Sequence, residues 1–481
     1  MAGRVPFPQR LPGTYFDIRS EVRPMAPASV RGTVIDMLPM VWFNEGELVD
    51  MHIREWQSAF AITKVGVSAA MAEPKGTNPD DILTRNMQRS LLALLASGVS
   101  AGEPYGPLMG KIFPQNTGGQ KAQAEHGDIT WVAKKSGTAG NKITINVVKQ
   151  DEMYTLTTFF QGMPMYVQGF TELPQLERLL RENMLIDAEF DNGSAITTGE
   201  VMLEGGDNGT IQPYNQRLQA FLDAAEMKTW HTIALSIAPE DTGYAAARTA
   251  FRSWLRQLNT DLQEERHGVV FGDFSDPNAG MDSDQIDVVF QELEWNNEYW
   301  LTPANVVRLF AGRSSGAAAN RSQTNDVINN VTAIQPELTI RQREDADSRS
   351  LFAVIENWDG RYKIQRDINS FASWVPEKNL QWRDNRTKRG LHDTKVRWNR
   401  IFDTQHKGNT DNNQRGREKI LGDIDNLFDT LETENVMAEH DISKLNIFPS
   451  ETSPTAARIE ARGIKYVTAI DLLDFSMTIT W

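Results

Sequence analysis

Two glycine-rich segments of the 481-residue chain have residue types that could bind an anion. Residues 137–142 have the sequence Gly-Thr-Ala-Gly-Asn-Lys, which superficially resembles a phosphate-binding loop. Such a loop has four residues between its glycines and leads from its lysine into a helix, whereas Lys142 precedes a strand-like run. A plain turn is therefore favoured. Residues 205–209 could begin an anion-binding turn before a helix, but a loop at a domain boundary is favoured there.

An acidic segment is the main candidate for a cation site. Residues 273–284 include Asp273, Asp276, Asp282 and Asp284, and carboxylates are the ligands that magnesium and calcium prefer. Their spacing lacks the central glycine and terminal glutamate of a calcium-binding loop. A solvated loop is therefore the favoured interpretation.

The chain shows no pattern that is typical of an enzyme. It contains no cysteine, which excludes disulfides, thiolate zinc sites and cysteine nucleophiles. Its seven histidines have no paired metal-binding spacing, and no Gly-x-Ser-x-Gly segment is present. We therefore predict no enzymatic activity, no catalytic or metal residues and no cofactor. A hydrolase is kept as an alternative from a different class.

The charge and the hydrophobic pattern of the chain restrict the kinds of partner that it can bind. The formal net charge of -15 argues against direct nucleic-acid binding, because neutralising phosphates needs a basic surface. No uninterrupted apolar run is long enough to cross a bilayer, so no membrane insertion is expected. Residues 1–12 contain prolines and arginines but no apolar stretch of a signal peptide, which predicts synthesis in a cytoplasm.

The length and the changing residue pattern predict a multidomain protein with α/β and α+β parts. Strand-like residues are concentrated between about 103 and 204, whereas helix-like and strand-like segments alternate after 205. The predicted units are an N-terminal arm (1–24), the first half of a larger domain (25–102), an inserted β-sandwich or barrel (103–204), an α/β domain (205–344), a C-terminal α+β domain (345–463) and a linker with a terminal strand (464–481).

Hydrophobic periodicity predicts the individual elements. A helix at 244–262 between buried strands at 232–237 and 267–272 forms a βαβ unit, which predicts a parallel sheet. Further helices are predicted at 81–95, 173–183, 214–226, 383–402 and 414–436, and further strands at 32–35, 129–133, 142–148, 154–160, 351–355 and 362–365.

The two C-terminal helices carry opposite charges. The helix at 383–402 is mainly basic, whereas the helix at 414–436 and the residues after it are mainly acidic. Such blocks suit complementary contacts with a partner or with neighbouring copies. They suit equally well two solvated faces that form salt bridges with each other.

The last residues alternate in the strand period. Phe475, Met477, Ile479 and Trp481 lie on one face of this strand, and its backbone groups need partners when that face is buried. On alternation alone, the strand completes the sheet of its own domain. The alternative is addition to the sheet of a neighbouring molecule.

Several segments together resemble one family. Residues 11–16 (Leu-Pro-Gly-Thr-Tyr-Phe), 137–145, 358–371 and 385–402 are similar, in order and spacing, to segments of contractile tail sheath proteins of phages and related bacteriocins. Thr14 replaces the usual valine, and the segment 311–328 is unusually polar for the family. We expect a loop over 311–328.

The resemblance implies a fold and a mode of assembly. It implies a subtilisin-like α/β middle domain without a catalytic triad, and subunits that stack as hexameric rings around an inner tube. Contraction of this metastable helical assembly would drive the tube through a target cell envelope. The implied inter-subunit strands contain Thr14, Tyr15, Phe16, Ile18, Phe475, Met477, Ile479 and Trp481, the implied acceptor hairpin contains Phe352, Val354, Tyr362 and Ile364, and the candidate tube-facing residues are Arg383, Arg386, Lys388, Arg389 and Arg397.

The resemblance also implies the partners and the location. The expected partners are further sheath subunits, the inner tail tube protein, and the baseplate and tail terminator proteins. The expected location is the tail of a virion assembled in a bacterial or archaeal cytoplasm. The sheath of a bacteriocin or of another phage-derived injection machine is an alternative, as is a soluble oligomeric binding protein.

Overall fold

A computed structural model describes the chain over residues 32–52, parts of 83–94, 109–260, 266–373, 380–449 and 457–468, except Asn192, Asn278 and Gly463. The predicted N-terminal arm and the predicted strand at 475–481 lie outside the described residues. The helices are α1 Leu173–Glu182, α2 Tyr214–Glu226, α3 Tyr244–Thr260, α4 Pro303–Gly316, α5 Ile340–Ser348, α6 Asn385–Ile401 and α7 Gln414–Thr433.

Short strands form most of the remaining regular structure. They are β1 Thr33–Leu38, β2 Val49–His52, β3 Met109–Pro114, β4 Asn116–Thr117, β5 Lys121–His126, β6 Ile129–Ser136, β7 Ile143–Gln150, β8 Met153–Phe160, β9 Met163–Phe170, β10 Ile186–Glu189, β11 Gly199–Met202, β12 Thr210–Ile211, β13 Thr232–Leu235, β14 His267–Phe271, β15 Ile286–Val289, β16 Glu292–Trp295, β17 Tyr299–Trp300, β18 Val331–Gln335, β19 Val354–Glu356, β20 Tyr362–Ile364, β21 Met437–Glu439, β22 Leu445–Pro449, β23 Ala457–Ala461 and β24 Lys465–Tyr466.

A six-stranded sheet in the order β15-β14-β13-β1-β3-β2 forms the centre of the fold. All its neighbouring strands are parallel except β2, which runs antiparallel to β3. The predicted βαβ unit is confirmed, with β13 and β14 parallel and Thr232 opposite His267. Strands β13 and β15 are buried throughout, as expected when helices cover both faces of a parallel sheet.

Helices pack on the two faces of this sheet. Helices α2 and α3 share one hydrophobic cluster with the sheet, and α4 shares the other. A Cβ atom on Gly268 of β14 would lie 2.7 Å from the ring of Phe251 and 3.1 Å from Leu255, so this glycine lets α3 approach closely. On the other face, a Cβ atom on Gly312 of α4 would lie 2.0 Å from the carbonyl oxygen of Leu94.

Helix α4 corrects one prediction. Residues 311–316 were expected in a polar loop, but they form the last turns of this helix, which begins with a Thr302 cap. Its arginines and serines are buried along with its valines and leucines. The helix therefore lacks the one-sided apolar pattern by which a surface helix is recognised in a sequence. The predicted helix at 81–95 is confirmed where it is described, with Met87 and Leu91 in the core.

Residues between β4 and β12 form a β-rich layer whose apolar cluster is continuous with the α4 side of the central sheet. Sheets β10-β6-β5 and β11-β7-β8-β9 contribute to one apolar cluster that includes Trp131, Ile145 and Leu156, and α1 packs against β9 and β10. The three predicted strands and the predicted helix of this region are all present. They alternate buried and less buried residues, as strands with one face in a core do.

The two C-terminal helices have a core of their own. One face of α7 is buried, and Asn413 caps the helix by accepting a hydrogen bond from the Gly416 backbone N–H at 2.8 Å. This core also receives Leu445 of β22 and Met437 of β21. The buried residues of the α7 face are Ile420, Ile424, Leu427, Phe428 and Leu431.

A buried ion pair joins the central sheet to α4. Arg308 Nε donates to Asp36 Oδ2 at 2.6 Å, and the other carboxylate oxygen accepts from Ser236 Oγ at 2.7 Å. Asp36 is completely buried and Arg308 nearly so, and Arg308 also donates to Ser90 Oγ at 3.0 Å. Both charged groups are therefore matched inside the protein.

We expect Arg308→Met to lower the free energy of unfolding by about 3–5 kcal/mol, because it leaves the Asp36 charge buried without a partner. The double variant Asp36→Asn/Arg308→Met should recover part of that loss. Urea unfolding followed by tryptophan fluorescence measures both. Arg361→Met is the control, because Arg361 pairs with Asp359 at the surface and should cost at most about 1 kcal/mol. Equal losses for the two single variants would contradict the buried pair's role.

Candidate functional site

The β19–β20 hairpin is the predicted acceptor of neighbouring strands. Its two strands are antiparallel, with Val354 opposite Ile364 and Glu356 opposite Tyr362. Phe352, just before the hairpin, forms a parallel bridge with Val289 at the edge of the central sheet. All four of the predicted acceptor side chains, Phe352, Val354, Tyr362 and Ile364, are buried in the chain's own core.

Backbone groups along the edges of this hairpin already form hydrogen bonds within the chain. Ile364 N–H donates to Asp326 O at 3.0 Å, its carbonyl accepts from Asn325 N–H at 2.8 Å, and Ile328 N–H donates to Tyr362 O at 2.9 Å. On the other strand, Val354 N–H donates to Gln291 Oε1 at 2.6 Å. A further strand cannot pair with β20 while these bonds hold. The predicted acceptor hairpin at 351–365 therefore cannot receive a strand along β20, which the chain's own residues 325–328 already cover.

A second hairpin, β22–β23, lies further along the chain. Its strands pair from Leu445 opposite Ala461 to Pro449 opposite Ala457. In the part of the chain that the structure describes, neither strand pairs with another segment. Leu445 packs on α7, whereas Phe448 is 46% exposed. Open edges of this kind are templates for an added strand.

The predicted basic face of α6 does not exist as an exposed surface. Four of the five candidate tube-facing residues are buried, and their charges meet carboxylates of the same chain. Arg386 is half-buried and donates to the Asn435 carbonyl at 3.3 Å. The tube-facing prediction is therefore wrong for the other four. The ion pairs are Arg383–Asp347 at 2.9 Å, Lys388–Asp284 at 3.1 Å, Arg389–Asp367 at 2.5 Å, Arg397–Asp393 at 3.0 Å and Arg397–Glu434 at 2.5 Å.

The Arg389–Asp367 pair is the most enclosed of these. Both side chains are at most 4% exposed. Asp367 Oδ1 also accepts from Asn385 Nδ2 at 3.2 Å, and the same amide donates to Asp287 at the sheet edge. Burial by itself would raise the pKa of Asp367, but the attraction and hydrogen bond of Arg389, together with hydrogen bonds from the Gln323 backbone N–H and from Asn385, place the pKa below its usual value. The carboxylate is therefore held in its charged form.

The acidic segment 273–284 has structural contacts rather than a shared cation site. Asp282 accepts hydrogen bonds from the backbone N–H groups of Ala372 and Ser373, and Asp273 accepts from Ser275. Asp284 binds Lys388. These carboxylates point to different partners, which agrees with the favoured interpretation of a loop.

The two glycine-rich segments also contact each other. Residues Thr138–Lys142 form one short 3-10 turn, and Asn141 Nδ2 donates to Gly206 O at 2.9 Å. Asn141 Oδ1 in turn accepts from Gly206 N–H at 2.7 Å. The favoured turn at 137–142 is confirmed. Its polar groups serve to join it to the loop at 205–209.

None of the helices described by the structure is long and apolar enough to cross a membrane.

Sequence comparison finds relatives in one bacterium. No protein-family model matches the chain. The phage-like element PBSX protein XkdK of Bacillus subtilis (strain 168) is 22% identical over 389 residues, which cover 79% of this chain and 77% of that protein. The uncharacterized protein YqbK of the same strain is 27% identical over 203 residues, and that match spans 42% of this chain and 41% of YqbK.

Solved structures share the architecture over nearly the whole chain. The sheath tail protein of Listeria innocua has a TM-score of 0.70 at 19% identity, covering 91% of this chain and 92% of that protein. The sheath tail protein of Desulfitobacterium hafniense has a TM-score of 0.61 at 21% identity, covering 92% and 95%. The anti-feeding prophage helical sheath in its contracted state has a TM-score of 0.51 at 11% identity, covering 98% and 99%.

The fold and the comparisons together define the structural class of the protein. The chain has a mixed α/β multidomain fold with small two-stranded sheets around a parallel centre. More particularly, the fold is that of sheath tail proteins, and the resemblance predicted from the motifs is confirmed.

We expect Arg389→Leu to lower the free energy of unfolding by about 3–5 kcal/mol, because Asp367 would stay buried without its cation. Arg386→Gln on the same helix should change it by less than about 1 kcal/mol, because Arg386 is half-buried and loses one long hydrogen bond. Urea unfolding of the two purified variants gives both values. A loss for Arg386→Gln as large as that for Arg389→Leu would contradict this assignment.

Proposed function

We propose that this protein is the structural subunit of a contractile tail sheath. The subunits polymerise as stacked rings around an inner tube and contract to drive the tube through a target cell envelope. The observation that supports this most is the fold, which matches sheath tail proteins over more than nine tenths of the chain. The likeness to a helical sheath in its contracted state supports assembly into a helix.

The particle that carries the sheath is a phage tail or a phage-derived machine. The phage-derived machine is kept as a possibility because one relative belongs to the phage-like element PBSX and one fold neighbour belongs to the anti-feeding prophage. In either particle, the partners are other copies of this chain, the inner tube protein, and the baseplate and terminator proteins at the two ends. The function is structural and needs no catalytic residue of this chain.

The central sheet is the counterpart of the subtilisin-like domain that the resemblance implies. Its parallel order with helices on both faces supports this assignment. Ser236 and Asp36 lie on neighbouring strands or just after them, but both are buried and Asp36 is bound to Arg308. These two residues therefore have a structural role.

The subunits are joined by exchanged strands. The segments at 14–19 and 474–481 pair with sheets of two neighbours, and the linkers at 20–28 and 464–473 let subunits move as rigid bodies while they stay connected. Contraction then releases energy stored in the assembly, because small interface gains per subunit add over many copies.

The acceptor of an exchanged strand is the β22–β23 hairpin. Lys444 O accepts from Arg462 N–H at 3.3 Å, which sets the alternation of inward and outward backbone groups along the ladder. On this alternation, Ala457, Ile459 and Ala461 of β23 direct their N–H groups away from β22. Pro449 has no N–H, so the outer edge of β22 offers fewer donors. The β23 edge is therefore the better template.

Deletion of residues 475–481 should abolish long cylinders in negative-stain electron microscopy while the monomer keeps its circular dichroism spectrum and thermal midpoint. The physical reason is that the deletion removes an exchanged strand and no described core residue. Normal polymers from the truncated chain would rule out strand exchange at this end. A wild-type protein that forms only a discrete soluble oligomer, alone and with the tube protein, would favour an oligomeric binding protein.

The acceptor edge has its own test. Ala457→Pro/Ala461→Pro removes two outward N–H donors of β23 without touching the bonds to β22, so polymers should be lost while the monomer stays folded. Ala457→Ser/Ala461→Ser is the matched control, because it keeps both donors. Polymerisation of the proline variant at the wild-type level would show that β23 is not the acceptor.

A further inference from the structure

A cluster of three carboxylates and one histidine lies at the C-terminal end of α7. Asp425, Asp429 and Glu432 project from the last turns of this helix. The chain then turns at Asn435, whose φ is +58°, and passes through β21 to bring His440 back against the helix. The His440 side chain is only 8% exposed, and its ring meets Phe428 edge-on at 5.4 Å.

The distances within the cluster are those of a preformed ligand set. His440 Nδ1 lies 2.6 Å from Glu432 Oε1, and Nε2 lies 3.0 Å from Asp425 Oδ1 and 3.9 Å from Asp429 Oδ1. One ligand atom each from Asp429, Glu432 and His440 can be chosen so that all lie within 4.8 Å of one another. With metal bonds of about 2.0–2.2 Å, ligand atoms of a tetrahedral site lie farther apart than the 2.6 Å between Nδ1 and Oε1, so an ion would replace this hydrogen bond while Asp429 moves in.

The electrostatics of the cluster favour a cation. The C-terminal end of a helix carries a partial negative charge, and the last turn of α7 contains no basic residue. Three carboxylates are added at this end, and among the described residues His440 is their one ion-pair partner. The nearby carboxylates of Glu434, Glu439 and Asp441 are matched by Arg397, Lys465 and Lys444. The excess negative charge is therefore confined to this cluster.

We propose that Asp429, Glu432 and His440 bind a divalent transition-metal ion such as Zn²⁺, with Asp425 orienting the histidine. Imidazole and carboxylate ligands together suit zinc and its neighbours better than they suit magnesium or calcium. In the proposed site, Asp425, whose Oδ1 lies 3.0 Å from Nε2, accepts the hydrogen of Nε2, as carboxylates beside metal-bound histidines do, and Nδ1 is the ligating atom. The proposal goes beyond the sheath function and does not depend on it.

The site would join three parts of the C-terminal region. It ties the end of α7 to the segment that carries β21, and β21 pairs with β24 through Met437 and Tyr466. Asp429 is 68% exposed, so its carboxylate is free to change rotamer and close on the ion. A bound ion would therefore stabilise the folded state in proportion to its affinity.

Titration calorimetry of the full-length protein with ZnCl₂, after removal of metal with EDTA, tests the proposal. We expect one saturable site, weakened at least tenfold by His440→Asn and by Asp429→Asn. Asp403→Asn is the matched control, since Asp403 is a similarly exposed carboxylate that pairs with Lys407. Zinc should raise the thermal midpoint of the wild-type protein and of the control, but not of the other two variants.

Three results would overturn the proposal or its ligand set. If no saturable binding occurs, the cluster is closed by a proton on His440, whose pKa is lowered by burial but raised more by its bonds to Asp425 and Glu432. Binding that persists unchanged in Asp429→Asn and His440→Asn would place zinc elsewhere. Asp425→Asn separates ligand from orienting residue: it should keep binding within about threefold, because the amide oxygen still accepts from Nε2–H. A tenfold loss would overturn the assigned ligand set.

Discussion

Buried charges that are matched within the chain are the constraint on which the rest of this structure depends. The charged groups of Arg389 and Asp367 lie 2.5 Å apart with almost no exposure to solvent. Those of Lys388 and Asp284 lie 3.1 Å apart and are also buried. Leaving any of these groups buried and unpaired would cost several kcal/mol. Helix α6 can therefore occupy only a position in which its cations meet these carboxylates.

The pairs connect parts of the chain that have separate hydrophobic cores. Asp284 and Asp287 belong to the edge of the central sheet, whereas Arg397 reaches Glu434 at the end of α7. The core of the C-terminal helices and the core around the sheet are thus joined by charge rather than by a shared apolar cluster. This joint also fixes the position of the hairpin β22–β23, which packs on α7 through Leu445, relative to the central sheet.

Helices with a one-sided apolar pattern were predictable, whereas helix α4, which is buried on all sides, was not. The apolar face of α7 and the βαβ unit from β13 to β14 follow from periodicity, because one face of each helix packs against a single neighbour. Helix α4 is enclosed by the sheet and by the helical residues near 83–94, and Arg308 meets Asp36 and Ser90 there, so its sequence resembles a polar loop. The basic residues of α6 were misread for the same reason.

The sequence by itself determined the mixed α/β class, most element positions and the resemblance to sheath proteins, because periodicity and short motifs are local properties of the chain. Only the tertiary structure decided which surfaces remain free. Lys388 and Asp284 are 104 residues apart and Asp36 and Arg308 are 272 apart, so no local pattern reveals that their charges cancel. The same holds for the β20 edge, which is filled by residues 325–328, and for His440, which returns to α7 only through the turn after it.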